Sequence, residues 1–327
     1  TSFPDWVMPV IDFSAQSELY LFGLLAGVGT FLLSWVLTPL SIKFAWKYGF
    51  LDYPSERKVH QDATPRVGGL AVVLAFTLGE LLFWHAAPPL GYGVLITVLL
   101  FFFAMLLDDK YNLPAWIKFL VQIGASAAVV FMGVKIGVVT LWGGRYAVFP
   151  KWLAMTISVL WLVLLSNAIN LIDGLNGLSS GISAIVLIFA SIITFKKGIF
   201  TVGLDALILA GAVLGFLPYN FPEAKTFIGD CGAQTLGFIL GILSIVGTFK
   251  STAGIIFLGF LLLLFLPVED TLSAWFRRLA SGQHPFTADR KHLHHKLLEW
   301  GLTPKQVVIL MYCATIVLGI IALLLMG

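Results

Sequence analysis

Long apolar segments separated by short polar stretches run along almost the whole sequence. The segments lie at residues 19–46, 67–84, 91–107, 114–133, 151–171, 177–195, 200–219, 232–248, 253–276 and 304–326. Because the hydrocarbon core of a bilayer is roughly 30 Å thick, one helix needs about 20 apolar residues to cross it. The pattern predicts an all-α polytopic membrane protein with about ten transmembrane helices. Since no linker or repeat divides the chain, residues 1–327 are expected to form a single domain.

Composition supports a membrane protein and argues against other classes. Hydrophobic residues make up 59% of the chain and charged residues only 11%, whereas a soluble domain has about 25% charged residues. Membrane lipid is therefore an expected partner. A net charge of +3, without a basic stretch interleaved with aromatic residues, argues against nucleic acid as a partner. The two cysteines, Cys231 and Cys313, lack metal-ligand and disulfide spacing and are expected to be unpaired thiols.

The distribution of lysine and arginine predicts the orientation in the membrane, because short cytoplasmic loops collect these residues. If both termini lie outside, most of the 20 Lys and Arg residues fall inside, and the outer ones are Lys135, Arg145, Lys151, Lys196, Lys197 and Lys250. Most of the 17 carboxylates also fall on the predicted inner face, the exceptions being Asp5, Asp12, Glu18, Glu80 and Asp205. We therefore expect both termini outside and the active site in the cytoplasmic loops.

Two segments depart from simple spanning helices. Residues 134–149 alternate β-branched and aromatic residues around Gly143-Gly144, a pattern that predicts a small external β-hairpin. The apolar segment at 253–276 contains Pro267, and we expect the helix to bend or break near it.

Adjacent carboxylates, Asp108 and Asp109, end the third predicted helix, and Asn112 and Lys118 follow near the start of the fourth. Two neighbouring carboxylates repel each other and need a cation, a shared proton or full solvation. Ionisable residues at a membrane are functional candidates by default. The pair therefore indicates a site, and the alternative is a solvated loop that carries charge.

Polar residues recur at intervals of three in the segment NAINLIDGLNGL, residues 167–178, at Asn167, Asn170, Asp173 and Asn176. Residues three apart share one face of a helical turn. Oxygen donors arranged in this way suit Mg²⁺ and the polar edge of a nucleotide. The alternative is a simple Asn/Gly turn that joins two spans.

The segment FIGDCG, residues 227–232, places Asp230 between two glycines at the start of the eighth predicted helix. A carboxylate in this position is either an N-terminal cap or a ligand of a hard cation. Taken alone, the cap is the better interpretation, whereas the company of the other polar segments favours the ligand.

The segment ADRKHLHHKL, residues 288–297, combines cationic and imidazole side chains, namely Arg290, Lys291, His292, His294, His295 and Lys296. The histidine spacings of two and one differ from the i, i+4 pair of a helical zinc site. Arginine and histidine together suit a pyrophosphate better. A solvated basic loop is the alternative.

A second basic segment, residues 56–69, leads into Gly68-Gly69. Its cationic and imidazole side chains are Arg57, Lys58, His60 and Arg66. By itself the segment is weak evidence for a site, because a positive-inside loop is expected there in any case.

Taken together and in their order along the chain, the five polar segments resemble those of the polyprenyl-phosphate N-acetylhexosamine-1-phosphate transferases. The resemblance covers about residues 50–300. That superfamily includes bacterial enzymes that start teichoic-acid, O-antigen and common-antigen synthesis. It also includes the peptidoglycan translocase and the eukaryotic GlcNAc-1-phosphate transferase of N-glycosylation. No single segment is specific to the family, but the ordered set is.

The resemblance implies roles for particular residues. Asp230 is similar to the family's principal Mg²⁺ ligand and Asn170 to a second ligand, with Mn²⁺ as a substitute metal. Phe227 matches an aromatic residue that stacks on uracil. The implied catalytic residues are Asp108, Asp109, Lys118, His294 and His295. The implied substrate-binding residues are Arg57, Lys58, His60, Arg66, Asn112, Asn167, Asp173, Asn176, Phe227, Arg290 and His292.

The resemblance also implies a reaction, in which GlcNAc-1-phosphate passes from the UDP-sugar donor UDP-GlcNAc to undecaprenyl phosphate with release of UMP. Asn176 and the segment 289–295 favour the GlcNAc-1-phosphate branch, because the translocase usually has an acidic residue and a Pro-Leu-His-His-His loop at these places. UDP-GalNAc and UDP-MurNAc-pentapeptide stay open as donors. The expected setting is the bacterial cytoplasmic membrane, at the first membrane step of lipopolysaccharide or teichoic-acid synthesis, with a homodimer as one possible assembly.

Two other classes compete with this hypothesis. A lipid or nucleotide-sugar transporter would place polar residues at mid-membrane depth and show inverted repeats, whereas this chain concentrates them at one face. A CDP-alcohol phosphotransferase also has an Asp-Gly motif, but its downstream paired aspartates are absent after Asp173-Gly174. The reaction of the polyprenyl-phosphate transferases is therefore preferred.

Overall fold

The computed structural model describes residues 16–54, 62–83, 91–140, 146–249, 254–280, 282 and 292–326. In these residues the α-helices are α1 Gln16–Tyr48, α2 Gly68–Phe83, α3 Gly91–Tyr111, α4 Ala115–Phe131, α5 Lys151–Ile172, α6 Leu178–Lys196, α7 Phe200–Phe216, α8 Gly229–Phe249, α9 Gly254–Leu263, α10 Phe265–Ala280, α11 Leu293–Glu299 and α12 Pro304–Met326. A short 3-10 helix, Leu217–Tyr219, follows α7. The strands are β1 Leu51–Asp52, β2 Thr64–Pro65, β3 Val138–Thr140 and β4 Tyr146–Val148.

Seven of the described helices are long and apolar enough to cross a membrane, and they are α1, α3, α5, α6, α7 with its 3-10 extension, α8 and α12. Helices α2 and α4 are apolar but shorter, at 16 and 17 residues. The chain is therefore a mostly helical, multi-pass membrane protein, as predicted. The number of ten spans and the location of both termini stay predictions.

The central helices are the ones that pack on all sides. Within the apolar 18-residue stretch of each helix, 78%, 78% and 89% of the residues of α6, α7 and α8 are buried inside the protein. The corresponding share is 28% for α1 and 33% for α12. Lipid tails are as apolar as the helix surfaces, so close van der Waals packing rather than hydrophobic burial joins helices in a membrane. Helices α1 and α12 therefore lie at the periphery and leave most of their surface to lipid.

Glycine allows the closest of these contacts. A Cβ on Gly237 of α8 would lie 2.3 Å from the carbonyl oxygen of Leu165 in α5. A Cβ on Gly69 of α2 would lie 2.3 Å from the Cα of Gly232 in α8. No side chain fits at these distances, so glycine sets how closely α5 and α2 approach α8.

The predicted break near Pro267 is confirmed. Helix α9 ends at Leu263, and α10 begins at Phe265, with Pro267 in its first turn. Proline fits a first helical turn because the backbone N–H that it lacks would have no partner within the helix. The ninth predicted span, residues 253–276, is therefore two consecutive helices.

The predicted hairpin is confirmed as far as its strands are described. Strands β3 and β4 pair antiparallel, with Val138 opposite Val148 and Thr140 opposite Tyr146. The backbone N–H of Ile136 donates to Oγ of Ser158 at 2.7 Å, which ties the hairpin to α5. The turn at Gly143-Gly144 lies outside the described residues, and the side of the membrane stays a prediction.

We predict that Gly237→Ala destabilises the protein, because the added methyl group meets the backbone of Leu165 and forces α5 and α8 apart. Overpacking of this kind typically costs about 1–3 kcal/mol. The matched control is Gly124→Ala on α4, where a Cβ would meet nothing within 4 Å. Thermal unfolding in detergent measures both variants. Equal unfolding temperatures for the two would contradict the packing argument.

Candidate functional site

Four helix ends and one strand end converge on a single polar site. Asp108 and Asp109 lie in the last turn of α3, and Asn170 lies in the last turn of α5. Asp230 lies in the first turn of α8. Lys118 lies in the first turn of α4, and Arg66 follows β2 directly, before α2 begins. The sequence placed Asp108-Asp109 at the end of the third predicted helix and Asp230 at the start of the eighth, and the structure confirms both positions. The site that was expected in the cytoplasmic loops is therefore built mostly from the terminal turns of helices.

Asp230 is at the centre of this site. Its Oδ1 is 2.5 Å from Nη2 of Arg66 and accepts a hydrogen bond from Nδ2 of Asn170 at 3.1 Å. Its Oδ2 is 3.5 Å from Nζ of Lys118. The carboxylate therefore joins residues that are far apart in the sequence, and with 21% of its side chain exposed it is open to a ligand.

Asp109 holds the backbone that carries Asp230. Its Oδ1 and Oδ2 accept hydrogen bonds from the backbone N–H groups of Asp230 and Cys231, each at 2.9 Å. These are donors of the first turn of α8, so Asp109 caps that helix from α3. Asp230 was interpreted either as an N-terminal cap or as a cation ligand. Because Asp109 caps the helix, the side chain of Asp230 is left to face the site.

Gly229 makes this cap possible. Its φ of +77° is a conformation that favours glycine. A Cβ at Gly229 would lie 2.5 Å from the carbonyl oxygen of Arg66 and 2.8 Å from Oδ2 of Asp109. The first glycine of the FIGDCG segment is therefore required by the contact between its backbone and the site.

Asp108 has partners of its own. Its Oδ2 is 2.6 Å from Nζ of Lys118, and its Oδ1 accepts from the backbone N–H of Leu113 at 2.8 Å. Asn112, an expected substrate-binding residue, is exposed and takes a φ of 51° in the turn between α3 and α4. Its backbone N–H donates to the carbonyl of Asp108, so its observed contribution is to the turn that brings Lys118 back to the carboxylates.

Arg66 is positioned by backbone hydrogen bonds on both sides. Its own N–H donates to the carbonyl of Phe50, and the N–H of Phe227 donates to the carbonyl of Pro65 at 2.8 Å. Burial lowers the pKa of Arg66, but Asp230 and Asp109 outweigh it and raise the pKa above its ordinary value. The guanidinium is therefore a permanent cation of the site. Phe227, expected to stack on uracil, is half-buried beside it.

The segment 167–178 divides its polar side chains among different partners. Helix α5 ends at Ile172, so Asn176 does not share a helical face with Asn167 and Asn170, as the three-residue spacing had predicted. The positive φ of Gly177 shows that the chain turns here. Asn176 donates to the carbonyl of Pro222 at 3.3 Å. Only Asn170 contacts Asp230 directly.

Asp173 lies just beyond the end of α5 and accepts a hydrogen bond from Oγ of Ser179 at 2.5 Å. Burial raises the pKa of Asp173 to about 7, the Ser179 hydrogen bond opposes the rise, and the nearby Asp230 carboxylate adds to it. Asp173 therefore belongs to the same electrostatic site as Asp230.

The sequence reasoning missed Gln122 and Gln234, which form a layer of amide side chains next to the carboxylates together with Asn167, an expected substrate-binding residue. Gln122 and Asn167 exchange hydrogen bonds of 3.3 and 2.8 Å, and Gln122 also donates to Oε1 of Gln234 at 2.8 Å. Gln122 lies one turn beyond Lys118, and Gln234 lies one turn beyond Asp230. These bonds fix the relative positions of α4, α5 and α8. Polar residues one turn from a site residue, in otherwise apolar helices, were a signal that could have found them.

The histidine segment, defined here as His292–His295, packs on the turn after α5. The side chain of His294 is only 2% exposed, and a Cβ on Gly174 would lie 2.4 Å from its Nε2. The rings of His292 and His294 are parallel within 4° with centroids 5.9 Å apart, and His295 lies 4.2 Å from His294. The segment 167–178 and the histidine segment, more than a hundred residues apart in the sequence, therefore lie in contact. The contact is possible because Gly174 has no side chain.

The structure thus brings together Arg66, Asp108, Asp109, Lys118, Asn170, Asp173 and Asp230, with the histidine segment alongside. Four other expected substrate-binding residues lie outside the described residues, namely Arg57, Lys58, His60 and Arg290. Their roles stay predictions.

Oxygen donors for a hard cation are present, although not as a preassembled cage. Among the described residues, no three His, Cys, Asp or Glu side chains form a group that could hold a metal ion by themselves. Mg²⁺ does not need such a group, since it usually keeps several waters and binds one or two carboxylates together with substrate phosphates. The open carboxylate of Asp230 beside the amide of Asn170 is compatible with that mode of binding.

Known proteins are similar to this chain over most of its length. The family model described as glycosyl transferase family 4 matches residues 92–248. A probable undecaprenyl-phosphate N-acetylglucosaminyl 1-phosphate transferase of Bacillus subtilis (strain 168) is 34% identical over 290 residues, covering 89% of this chain and 81% of the relative. An undecaprenyl-phosphate alpha-N-acetylglucosaminyl 1-phosphate transferase of Thermotoga maritima is 35% identical, covering 81% of this chain and 78% of the relative.

A decaprenyl-phosphate N-acetylglucosaminephosphotransferase of Mycolicibacterium smegmatis is 32% identical, covering 90% of this chain and 79% of the relative.

Fold and site define a multi-pass membrane protein whose helices gather carboxylates and cations at one end. The chain belongs to glycosyl transferase family 4, among the polyprenyl-phosphate N-acetylhexosamine-1-phosphate transferases. The resemblance drawn from the ordered motifs is therefore confirmed.

We predict that His294 makes the stability of the protein depend on pH. Burial, with a smaller contribution from His295, lowers the pKa of His294 from 6.5 to about 4. As the pH falls below 6.5, the unfolded chain binds this proton before the folded protein does, so stability decreases between pH 6.5 and about 4. The unfolding temperature of wild type should therefore drop more from pH 7 to pH 5 than that of His294→Gln. Parallel pH dependences for the two proteins would refute the assignment.

Proposed function

We propose that the protein transfers GlcNAc-1-phosphate from UDP-GlcNAc to undecaprenyl phosphate, giving undecaprenyl-diphospho-GlcNAc and UMP. The observation that carries the proposal is the convergence of Asp108, Asp109, Asp230, Arg66 and Lys118 at one end of the helices of a chain of this family. The relatives from Bacillus subtilis and Thermotoga maritima are named for N-acetylglucosaminyl 1-phosphate transfer with undecaprenyl phosphate. Their extensive coverage of this chain supports the same reaction here.

Charge balance supports a divalent cation in this site. When ionised, the carboxylates of Asp108, Asp109, Asp173 and Asp230 outnumber the two cations, Arg66 and Lys118. The donor diphosphate and the acceptor phosphate add further negative charge, and a site of this sign would repel them both. Asp230 and Asn170 would hold Mg²⁺, or Mn²⁺ in its place, through a carboxylate and an amide oxygen. The bound metal would offset the negative charge of the diphosphate and of the departing UMP.

The remaining residues bind and orient the phosphates. Arg66 and Lys118 each lie beside Asp230, so both are within reach of a phosphate that binds there. Arginine offers a planar fork that matches phosphate oxygens, and lysine offers a point charge. Holding two phosphates in line is the main task of such a site, because little covalent chemistry is left for the protein.

Asp108 organises the site rather than attacking the donor. Both of its oxygens have partners, in Lys118 and the N–H of Leu113, and only 1% of its side chain is exposed. The second pKa of a phosphate monoester is about 6, so the acceptor is already ionised at neutral pH and needs no strong base. We therefore infer that an acceptor oxygen attacks the β-phosphorus directly, and that the bond from this phosphorus to the UMP oxygen breaks.

The donor is assigned to the side of the site formed by the segment 167–178, Phe227 and the histidine segment. The resemblance to the family assigns Asp173 and Phe227 to the nucleotide, and His294 lies against Gly174, the residue that follows Asp173. The neutral side chain of Asn176 supports a GlcNAc donor, since the translocase branch usually has an acidic residue there. The excess of Lys and Arg at this end of the helices supports a site that faces the cytoplasm, in the cytoplasmic membrane of a bacterium.

The reaction is tested with purified protein, Mg²⁺, undecaprenyl phosphate and a panel of UDP-GlcNAc, UDP-GalNAc and UDP-MurNAc-pentapeptide. We expect undecaprenyl-diphospho-GlcNAc by mass spectrometry, with equimolar UMP that appears only when the acceptor is present. Product from another donor alone would overturn the choice of sugar. A burst of UMP without acceptor, equal to the enzyme concentration, would overturn direct attack.

We predict that Asp230→Asn lowers kcat by roughly 100-fold or more, because the charged ligand at the diphosphate is lost. Binding of Mn²⁺, measured by electron paramagnetic resonance, should weaken in the same variant. Glu299→Gln, an exposed carboxylate on α11, is the control and should retain both properties. Turnover close to wild type at saturating Mg²⁺ would refute the role of Asp230.

A further inference from the structure

Asp270 of α10 is a buried carboxylate outside the carboxylate and cation cluster, and only 3% of the residue is exposed. Both of its oxygens contact the histidine segment. Its Oδ2 is 2.9 Å from Nδ1 of His292, and its Oδ1 accepts from the backbone N–H of Leu293 at 2.8 Å. Because a buried carboxylate is unfavourable unless it is hydrogen-bonded, these two contacts hold Asp270 and its partners in one arrangement.

The contact fixes the start of α11. His292 occupies the N-cap position of this helix with an extended backbone and makes no capping hydrogen bond of its own. Asp270 satisfies the N–H of Leu293 instead, from a different helix. The chain between α10 and α11 includes residues 283–291, which lie outside the described residues. Asp270 therefore anchors the histidine segment directly to α10.

From this anchor a series of contacts leads to the turn that follows α5. The ring of His292 is parallel to that of His294, and His294 lies against the backbone of Gly174. Gly174 adjoins Asp173, which shares the electrostatic environment of Asp230. A displacement of His292 would therefore move His294 away from the turn on which we have placed the donor.

We propose that Asp270 is a positioning residue of the transfer reaction, which anchors the histidine segment over the turn at 167–178 so that it meets the donor's phosphates. The proposal rests on the proposed function for the identity of the donor. Nothing in it requires Asp270 to touch a substrate.

The protonation of the pair follows from the chemistry of the contact. Burial raises the pKa of Asp270, but the hydrogen bonds from His292 and Leu293 outweigh it and bring the pKa below its ordinary value. An ionised carboxylate only accepts hydrogen bonds. Nδ1 of His292 therefore carries a proton, and in the neutral ring Nε2 keeps the lone pair. The rings of His294 and His295 lie beside this ring as well.

The kinetic test compares Asp270→Ala and Asp270→Asn with Glu269→Gln. Glu269 is the neighbouring carboxylate, is exposed and accepts a hydrogen bond from Ser273 on the same helix, so it controls for loss of charge on α10. Asp270→Ala should raise the KM for UDP-GlcNAc roughly tenfold, as expected for a lost charge-assisted hydrogen bond, and change the KM for undecaprenyl phosphate little. Asp270→Asn, which keeps an acceptor for Leu293, should fall between Asp270→Ala and wild type.

A merely structural role would give a different result. It would lower kcat in proportion to the folded fraction and leave both KM values unchanged, and this outcome would overturn the positioning role. If the wild type makes no lipid product with any UDP-sugar, the proposed reaction fails instead. The two failures are therefore distinguishable.

The contact itself is tested without the reaction. In ¹⁵N-histidine-labelled protein in detergent, His292, assigned by the signal missing from His292→Gln, should be protonated at Nδ1 in wild type. In Asp270→Asn the amide donates to Nδ1, so the neutral ring should be protonated at Nε2 instead. This readout is available even if Asp270→Ala does not fold. An unchanged tautomer in Asp270→Asn would overturn the anchor.

Discussion

The carboxylate of Asp109 is the contact on which the rest of the site depends. It binds two backbone N–H groups of α8 from the end of α3, and it lies 3.4 Å from Nε of Arg66. One side chain thus joins two helices and the strand end that precedes α2. Because the backbone of Asp230 is held in this way, its side chain is free to face Asn170, Lys118 and a ligand. Asp108 and Asp109 are adjacent in the sequence but have different partners, because Asp109 binds the backbone of α8 and Asp108 pairs with Lys118.

Close helix packing complements this polar contact. In a bilayer the protein cannot rely on hydrophobic burial between helices, so contacts at glycine and buried hydrogen bonds determine how the helices sit. The amide layer of Gln122, Asn167 and Gln234 does this between α4, α5 and α8. It lies one helical turn from the carboxylates and carries no charge. Because amide side chains do not titrate, these hydrogen bonds do not depend on pH.

Much of the fold could be predicted from the sequence, because long apolar segments have few alternatives in a membrane. The break at Pro267 and the hairpin strands followed from local chemistry that does not depend on the rest of the chain. The exact ends of the helices were harder. Asn176 was assigned to the face of α5, but the helix ends at Ile172 and the chain turns at Gly177. A three-residue spacing does not reveal that end.

The site was predictable as a set of residues but not as a set of contacts. Intramembrane charge singled out Asp108, Asp109 and Asp230, yet nothing in their spacing showed that Asp109 would cap α8. Asp270 was visible only as one acidic residue after Pro267, since its role depends on His292, which is distant in the sequence. Long-range pairings of this kind depend on tertiary packing, which a local pattern does not encode.

Helix α12 connects the bilayer to the turn that follows α5. The hydroxyl of Tyr312 on this helix donates to the carbonyl of Gly177, in the turn that follows α5. The same helix faces lipid along most of its surface, since only 33% of its apolar 18-residue stretch is buried inside the protein. Helices of this kind tilt when the thickness of the surrounding bilayer changes. A change in bilayer thickness that tilts α12 would therefore reach the turn at Gly177 through the contact of Tyr312.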